Sequence, residues 1–203
     1  MSETLSSVAA VAAPSRSQLL RSRTTTAHAQ LDARIMAGAP FSSRENYGQF
    51  LRVQHAFHRD IAVLFTHPAL DALLPDLPGR QRLPAIEQDL ADLGLSPDAE
   101  AAAPVFGDDA AVPMALGWLY VAEGSNLGAA FLLKQAAVLG LDENFGARHL
   151  AGHPDGRGLH WRTFTAALDG LSLPEAEEDA MVAGATAAFD RVRGLVERLL
   201  PAA

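Results

Sequence analysis

The 203-residue chain contains no cysteine, and Lys134 is its only lysine against fifteen arginines. Without cysteine there can be no disulfide, iron–sulfur cluster, thiolate ligand or thioether-attached cofactor. Any transition metal must be held by histidine, by carboxylate or within a bound cofactor. Net positive charge is also lacking: the formal charge is −8 at pH 7. No broad basic field is present to displace counterions, which argues against nucleic acid as a partner. A small anionic ligand held by a few local arginines remains compatible. Long apolar runs are missing as well. The longest, Ala110 to Ala122, stops at Glu123 and is too short to span a bilayer. The opening "MSETLSSVAAVAAPSRS" has neither a basic n-region nor a long apolar core, so it does not read as a signal peptide. Residues 1–14 are expected to be a disordered tail, 15–203 one domain, and the protein cytoplasmic. Neither a GxSxG elbow nor a glycine-rich loop ending in GK[ST] occurs.

What is present is helical periodicity. Hydrophobic residues make up 49% and charged residues 20% of the chain, an ordinary globular balance. Leu20, Thr24, Ala27, Leu31 and Ile35 share one stripe, predicting an amphipathic helix from Ser15 to Met36. After "GAP", Ser42 or Ser43 caps a second helix over the stretch to Phe65. Three prolines punctuate residues 66–80, which should form short turns. Arg82–Leu93 is a third amphipathic stretch, followed by an alanine-rich connector. A long apolar helix is predicted over Asp109–Leu139, an irregular loop over the glycine-rich residues 140–158, and two closing helices over Leu159–Leu171 and Pro174–Leu200. The acids of Glu175–Asp179 suit a solvated helix start. No strand pattern, repeat or linker is apparent, so the fold class is all-α with a single domain.

The histidines carry little individually. His28 lies at the edge of the first helix's apolar face, where a side chain can project into a groove. His55 and His58 are spaced i, i+3, and His149 and His153 i, i+4; both spacings suit a metal, but neither pair sits in a recognised metalloenzyme pattern. His67 and His160 support no claim. The long helix is more informative. "LGWLYVAEGSNLGAAFLLKQA" carries Gly124 and Gly128 each within about 20° of Gly117 in helical projection, so all three share one face. Each interior glycine costs about 0.8–1 kcal/mol relative to alanine. Three causes compete: a close helix–helix contact, a local bend, or a flat ligand against the bare backbone.

Taken together, "LRSRTTTAHAQLD" and "LYVAEGSNLGAAFLLK" resemble the proximal and distal helices of haem oxygenases, in particular the bacterial branch associated with phytochromes. The resemblance extends from about Leu19 to Leu195. It implies a helical bundle holding haem b, substrate and cofactor at once, between the first helix and a kinked distal helix. His28 then matches the proximal iron ligand, and Gly124 and Gly128 the paired glycines over the distal haem face. Ser125 stands where the mammalian-type branch carries an aspartate that organises distal water, which leaves the proton-delivery group open. Arg21 and Arg162 match basic positions for the haem carboxylates, and Phe189 an aromatic haem contact. The implied reaction consumes O2 and electrons, hydroxylates one of the haem's own meso carbons, and yields biliverdin, carbon monoxide and ferrous iron. Electrons would come from a separate ferredoxin, flavodoxin or flavin reductase. A bacteriophytochrome would be the receiver of biliverdin, with iron acquisition as the other biological role. A non-degrading haem carrier of the same fold is the competing expectation, and an unrelated bundle with another apolar ligand a further one.

Overall fold

The computed structural model describes residues 14–202; of the tail expected at 1–14, all but Pro14 lies outside them. Seven helices follow in order: α1 (Arg16–Ala37), α2 (Arg44–Asp60), α3 (Pro68–Asp71), α4 (Leu83–Asp92), α5 (Val112–Ala137), α6 (Arg157–Gly170) and α7 (Glu175–Leu199). Short 3-10 turns span Ala62–Thr66, Pro78–Arg80 and Arg148–Leu150. Among the described residues no strand forms, only isolated bridges from Asp142 to Phe145 and Gly146.

Local chemistry explains the boundaries. Ser15 opens α1 with a capping box: its hydroxyl accepts the Gln18 N–H, and its own N–H donates to Gln18 Oε1 at 3.0 Å. Ser43, of the two candidate caps, accepts the Asn46 N–H at 3.1 Å and starts α2. That helix does not run to Phe65. The Asp60 carbonyl is taken at 3.2 Å by the N–H of Phe106 in the connector, and Leu64 N–H turns instead to Ile61. The ladder therefore tightens into the 3-10 turn after Asp60.

α7 is the central support. It packs against α5, α1 and α2, while α6 braces α1 and α5 from the other side. The α5–α7 crossing is close enough to bring backbones into contact. A Cβ on Gly117 would collide with the Met181 carbonyl and lie 2.5 Å from the Ala185 nitrogen. Gly184 of α7 meets the Met114 carbonyl in the same way. The main core gathers Leu20, Phe57, Leu116, Leu119, Phe164 and Ala185. A second cluster around Tyr47, Phe50, Ile86 and Leu141 seats the glycine-rich loop, where Tyr47 Oη donates to the Gly146 carbonyl at 2.8 Å. At its N-terminal end α1 is tied to α6 through Asp169, whose carboxylate accepts from Ser17 N–H at 2.7 Å and Ser17 Oγ at 2.8 Å. One consequence governs the site: α1 and α5 both rest on α6 and α7 but scarcely touch each other.

Candidate functional site

The gap between α1 and α5 is lined by several of the residues singled out in the sequence. His28 points outward from α1 with its side chain 60% exposed, its ring edge-on to Phe189 at 5.9 Å. Phe189, on α7, is buried beneath it. His28 Nδ1 lies 3.0 Å from Asp32 Oδ2 one turn on. A proton held on Nδ1 by that carboxylate leaves the Nε2 lone pair available, the tautomer a metal ligand requires.

The facing side is the stripe of α5 that carries Tyr120, Gly124 and Gly128. It turns toward α6 and α1: the Tyr120 ring packs 5.4 Å from Trp161, and the charge of Arg21 acts on its phenol. Burial raises the Tyr120 pKa against that pull. A Cβ on Gly124 would touch only the Trp161 ring, at 3.7 Å, and one on Gly128 would meet nothing within 4 Å. Beside them Leu127 and Phe131 stand exposed. The glycine stripe therefore has two purposes. Gly117 serves a helix–helix contact with Gly184, whereas Gly128 borders open space and Gly124 has only the Trp161 ring at ordinary contact distance, so close backbone packing does not account for that pair.

Arg21 is exposed on the α1 rim. Arg162 is exposed on α6 beside Trp161, its guanidinium folded back toward Gly158. Ser125 Oγ donates to the Ala122 carbonyl at 2.7 Å, so its hydroxyl is engaged within its own helix. His149 and His153 do not act as a pair. His149 turns to Asp89, with Nδ1 2.7 Å from the carboxylate, while His153 stacks on His160 at 4.3 Å.

Sequence reasoning passed over a polar layer behind the glycines. Glu123, adjoining Gly124, is buried and paired with the equally buried Arg80 at 2.5 Å. Burial pushes its carboxyl pKa up, against the opposing pull of Arg80. Arg80 Nη1 also lies 3.4 Å from His160 Nδ1. Burial, then the Arg80 charge, pushes the His160 pKa down to about 4. Nearby, burial pushes buried His58 down to about 3, with His149, Arg82 and His55 adding repulsion. A lone glutamate ending an apolar run was the one available signal for this layer.

The donor set suits a flat apolar macrocycle carrying iron and carboxylates. It offers an imidazole with a free nitrogen, a bare backbone stripe, exposed apolar side chains and an arginine at the rim. The fold is that of an all-helical protein in which His28 of α1 and the bare Gly124–Gly128 backbone of α5 are both left uncovered by packing. The known proteins it matches give that class a family. The profile of the family described as "Heme oxygenase" matches residues 15–198. Heme oxygenase PigA of Pseudomonas aeruginosa is 46% identical over 183 residues, covering 90% of this chain and 92% of that protein. The NO- and CO-bound heme oxygenase of Neisseria meningitidis superposes with a TM-score of 0.87 at 40% identity, over 94% of both chains. Heme oxygenase from Leptospira interrogans shares the fold, with a TM-score of 0.76 at 19% identity over 92% of this chain and all of that one. The chain belongs to the haem oxygenase family, and its helical fold and bacterial relatives agree with the resemblance read from α1 and α5. No helix of the described residues is long and apolar enough to cross a membrane.

Proposed function

We propose that this haem-degrading enzyme binds haem b in the groove between α1 and α5, with His28 Nε2 on the iron, and converts it to biliverdin, carbon monoxide and ferrous iron. The observation that carries this reading is the pairing of an outward imidazole, its Nδ1 engaged by Asp32, with a bare Gly124–Gly128 backbone that only the Trp161 ring borders. Bound haem, once reduced, supplies the oxygen activation and is itself oxidised at a meso carbon.

The chain's own residues do the rest. Asp32 holds the His28 tautomer and adds to the basicity of the ligating nitrogen. Phe189 fixes the ring from below. Gly124 and Gly128 let the distal backbone approach the macrocycle, where peptide groups and ordered water can bind the polar reactant without a strong acid alongside. Ser125 must release the Ala122 carbonyl before its hydroxyl can carry a proton into the groove. Arg21 and Arg162 pair with the carboxylates at the rim; arginine's planar fork suits bidentate contact, and Arg162 reaches it by swinging away from Gly158. Since the sequence holds no flavin or iron–sulfur motif, electrons come from a ferredoxin, flavodoxin or flavin reductase. The α1 and α5 resemblance to the phytochrome-associated branch points to a bacteriophytochrome as receiver of the product.

Hemin titration followed by a ferredoxin reducing system in air, with catalase present, tests this. The Soret band should decay as a biliverdin spectrum grows, and His28→Ala should abolish that conversion. A reduced haem spectrum that persists under every donor would instead mark a carrier.

A further inference from the structure

Behind the distal helix, three potential metal ligands converge that the haem groove does not use. Asp76 comes from the turn before Pro78–Arg80, His153 from the loop preceding α6, and His160 from the first turns of α6. One ligand atom of each lies within 4.8 Å of the other two. Together with Pro75, Arg80 and Asp155 they line a cavity of about 170 Å³.

The fixed member is His160. It is 8% exposed, and its Nε2 has no hydrogen-bond partner. An unsatisfied buried ring nitrogen is destabilising and calls for an occupant. That nitrogen lies 4.0 Å from Asp76 Oδ2, so it is aimed into the cavity. Its other nitrogen, Nδ1, lies 3.4 Å from Arg80 Nη1 and 3.7 Å from the buried Glu123 carboxylate that pairs with Arg80. Ligation through Nε2 requires the proton on Nδ1, so on metal binding Nδ1 must turn from the Arg80 guanidinium to the Glu123 carboxylate, the usual outer partner of a metal-bound histidine.

We propose that Asp76, His153 and His160 form a binding site for a divalent first-row transition ion, with two imidazoles and one carboxylate as protein ligands. The donor chemistry selects the class: imidazole nitrogen favours zinc, ferrous or cobaltous ions over magnesium and calcium, which prefer all-oxygen shells. His153 and Asp76 are the movable half. The His153 and His160 rings lie parallel, 5° apart in plane, so their lone pairs do not yet converge on one point. His153 Nδ1 accepts the Asp155 N–H at 3.2 Å, and Asp155 Oδ2 lies 3.7 Å from the same nitrogen. The His153 side chain is 26% exposed and that of Asp76 59%, so both can rotate onto the ion while His160 stays in place. Asp155 then adds negative charge at the rim. Arg80, the cation in the cavity wall, is already neutralised by Glu123.

The test uses the haem-free full chain, stripped with chelator and titrated with Zn2+ against a chromophoric competitor. One Zn2+ should bind per chain. Asp76→Asn and His153→Gln, both at partly exposed positions and checked for native helicity by circular dichroism, should each weaken binding at least tenfold. His67→Gln should leave it unchanged, and Mg2+ should not compete. Loading the groove with hemin should preserve the Zn2+ affinity, and Zn2+ should not move the Soret band, which separates this site from the haem reading. Absence of stoichiometric binding, or binding indifferent to both Asp76→Asn and His153→Gln, would overturn the proposal.

Discussion

Gly117 and Gly128 lie on one face of α5 yet answer to opposite constraints, and alanine separates them. At Gly117 the added methyl would enter the Met181 carbonyl, so α7 must shift; overpacking of this kind costs about 1–3 kcal/mol and occasionally more. At Gly128 the methyl meets nothing. Removing an interior helical glycine there should stabilise the haem-free chain by about 0.5–1 kcal/mol. Urea unfolding of Gly117→Ala and Gly128→Ala should therefore move in opposite directions. Gly128→Phe should keep the fold and impair haem turnover, and equal loss of both would refute the assignment of that glycine to the groove. The sequence made the shared face legible because helical projection is fixed by geometry. It could not show what each glycine faces, since the neighbour belongs to another element. The "AGA" around Gly184 was the missing half of the Gly117 contact. His28 was similarly legible as a projecting residue, but its Asp32 partner emerges only once the two side chains are placed.

At the scale of elements, helix starts were the most readable feature because caps are local: the first helix opens at Ser15 as expected, and Ser43, one of the two candidate caps, starts the second. Tertiary polar anchors were not. The residue 140–158 loop looked unstructured from its glycines, yet Asp89 of α4 fixes it by accepting from Arg148 N–H at 2.9 Å, His149 N–H at 3.0 Å and His149 Nδ1 at 2.7 Å. In an amphipathic pattern a buried aspartate and a solvated one look alike. The Arg80–Glu123 pair is another such anchor, pinning the turn at Pro78–Arg80 to α5 directly behind Gly124. Both partners are at most 2% exposed. Glu123→Leu would strand the Arg80 guanidinium in the interior, a loss of about 3–5 kcal/mol. Replacing both, as Arg80→Met with Glu123→Leu, removes the stranded charge, and Phe164, 5.5 Å from the guanidinium, already supplies an apolar neighbour. The double variant should recover most of the loss in chemical denaturation. A double variant no better than Glu123→Leu alone would show that α5 needs this ion pair for its position.

For the molecule as a whole, the buried histidines set how stability depends on pH. His58 is enclosed by α2 and its neighbours, with His55, Arg82 and His149 as the charged or titratable groups acting on it, and its pKa is pushed down to about 3. In the unfolded chain it returns to about 6.5. Between these values the unfolded state binds the proton and the folded state does not, so stability falls as pH drops below about 6.5 and continues to fall toward 3. One such group gives a slope of about 1.4 kcal/mol per pH unit. His55, also lowered chiefly by burial, acts with the same sign. Glu123 acts with the opposite sign: its raised pKa gives stability below the unfolded carboxylate value that is lost as pH rises through the folded one. That contribution changes mainly above about pH 4.5, so it partly offsets the histidines in mildly acidic solution. Acidification also moves the chain toward its isoelectric point near 5.3, relieving the self-repulsion of the net −8 charge. Dispersed surface charges are screened by salt, whereas the desolvation of His58 is not. At physiological ionic strength the histidine effect should therefore dominate, and the urea midpoint should drop from pH 7 to pH 5. His58→Gln, which keeps a neutral polar side chain, should flatten that drop by about 1.4 kcal/mol per pH unit. An unchanged slope in this variant would mean that His58 takes up its proton in the folded chain as readily as in the unfolded one.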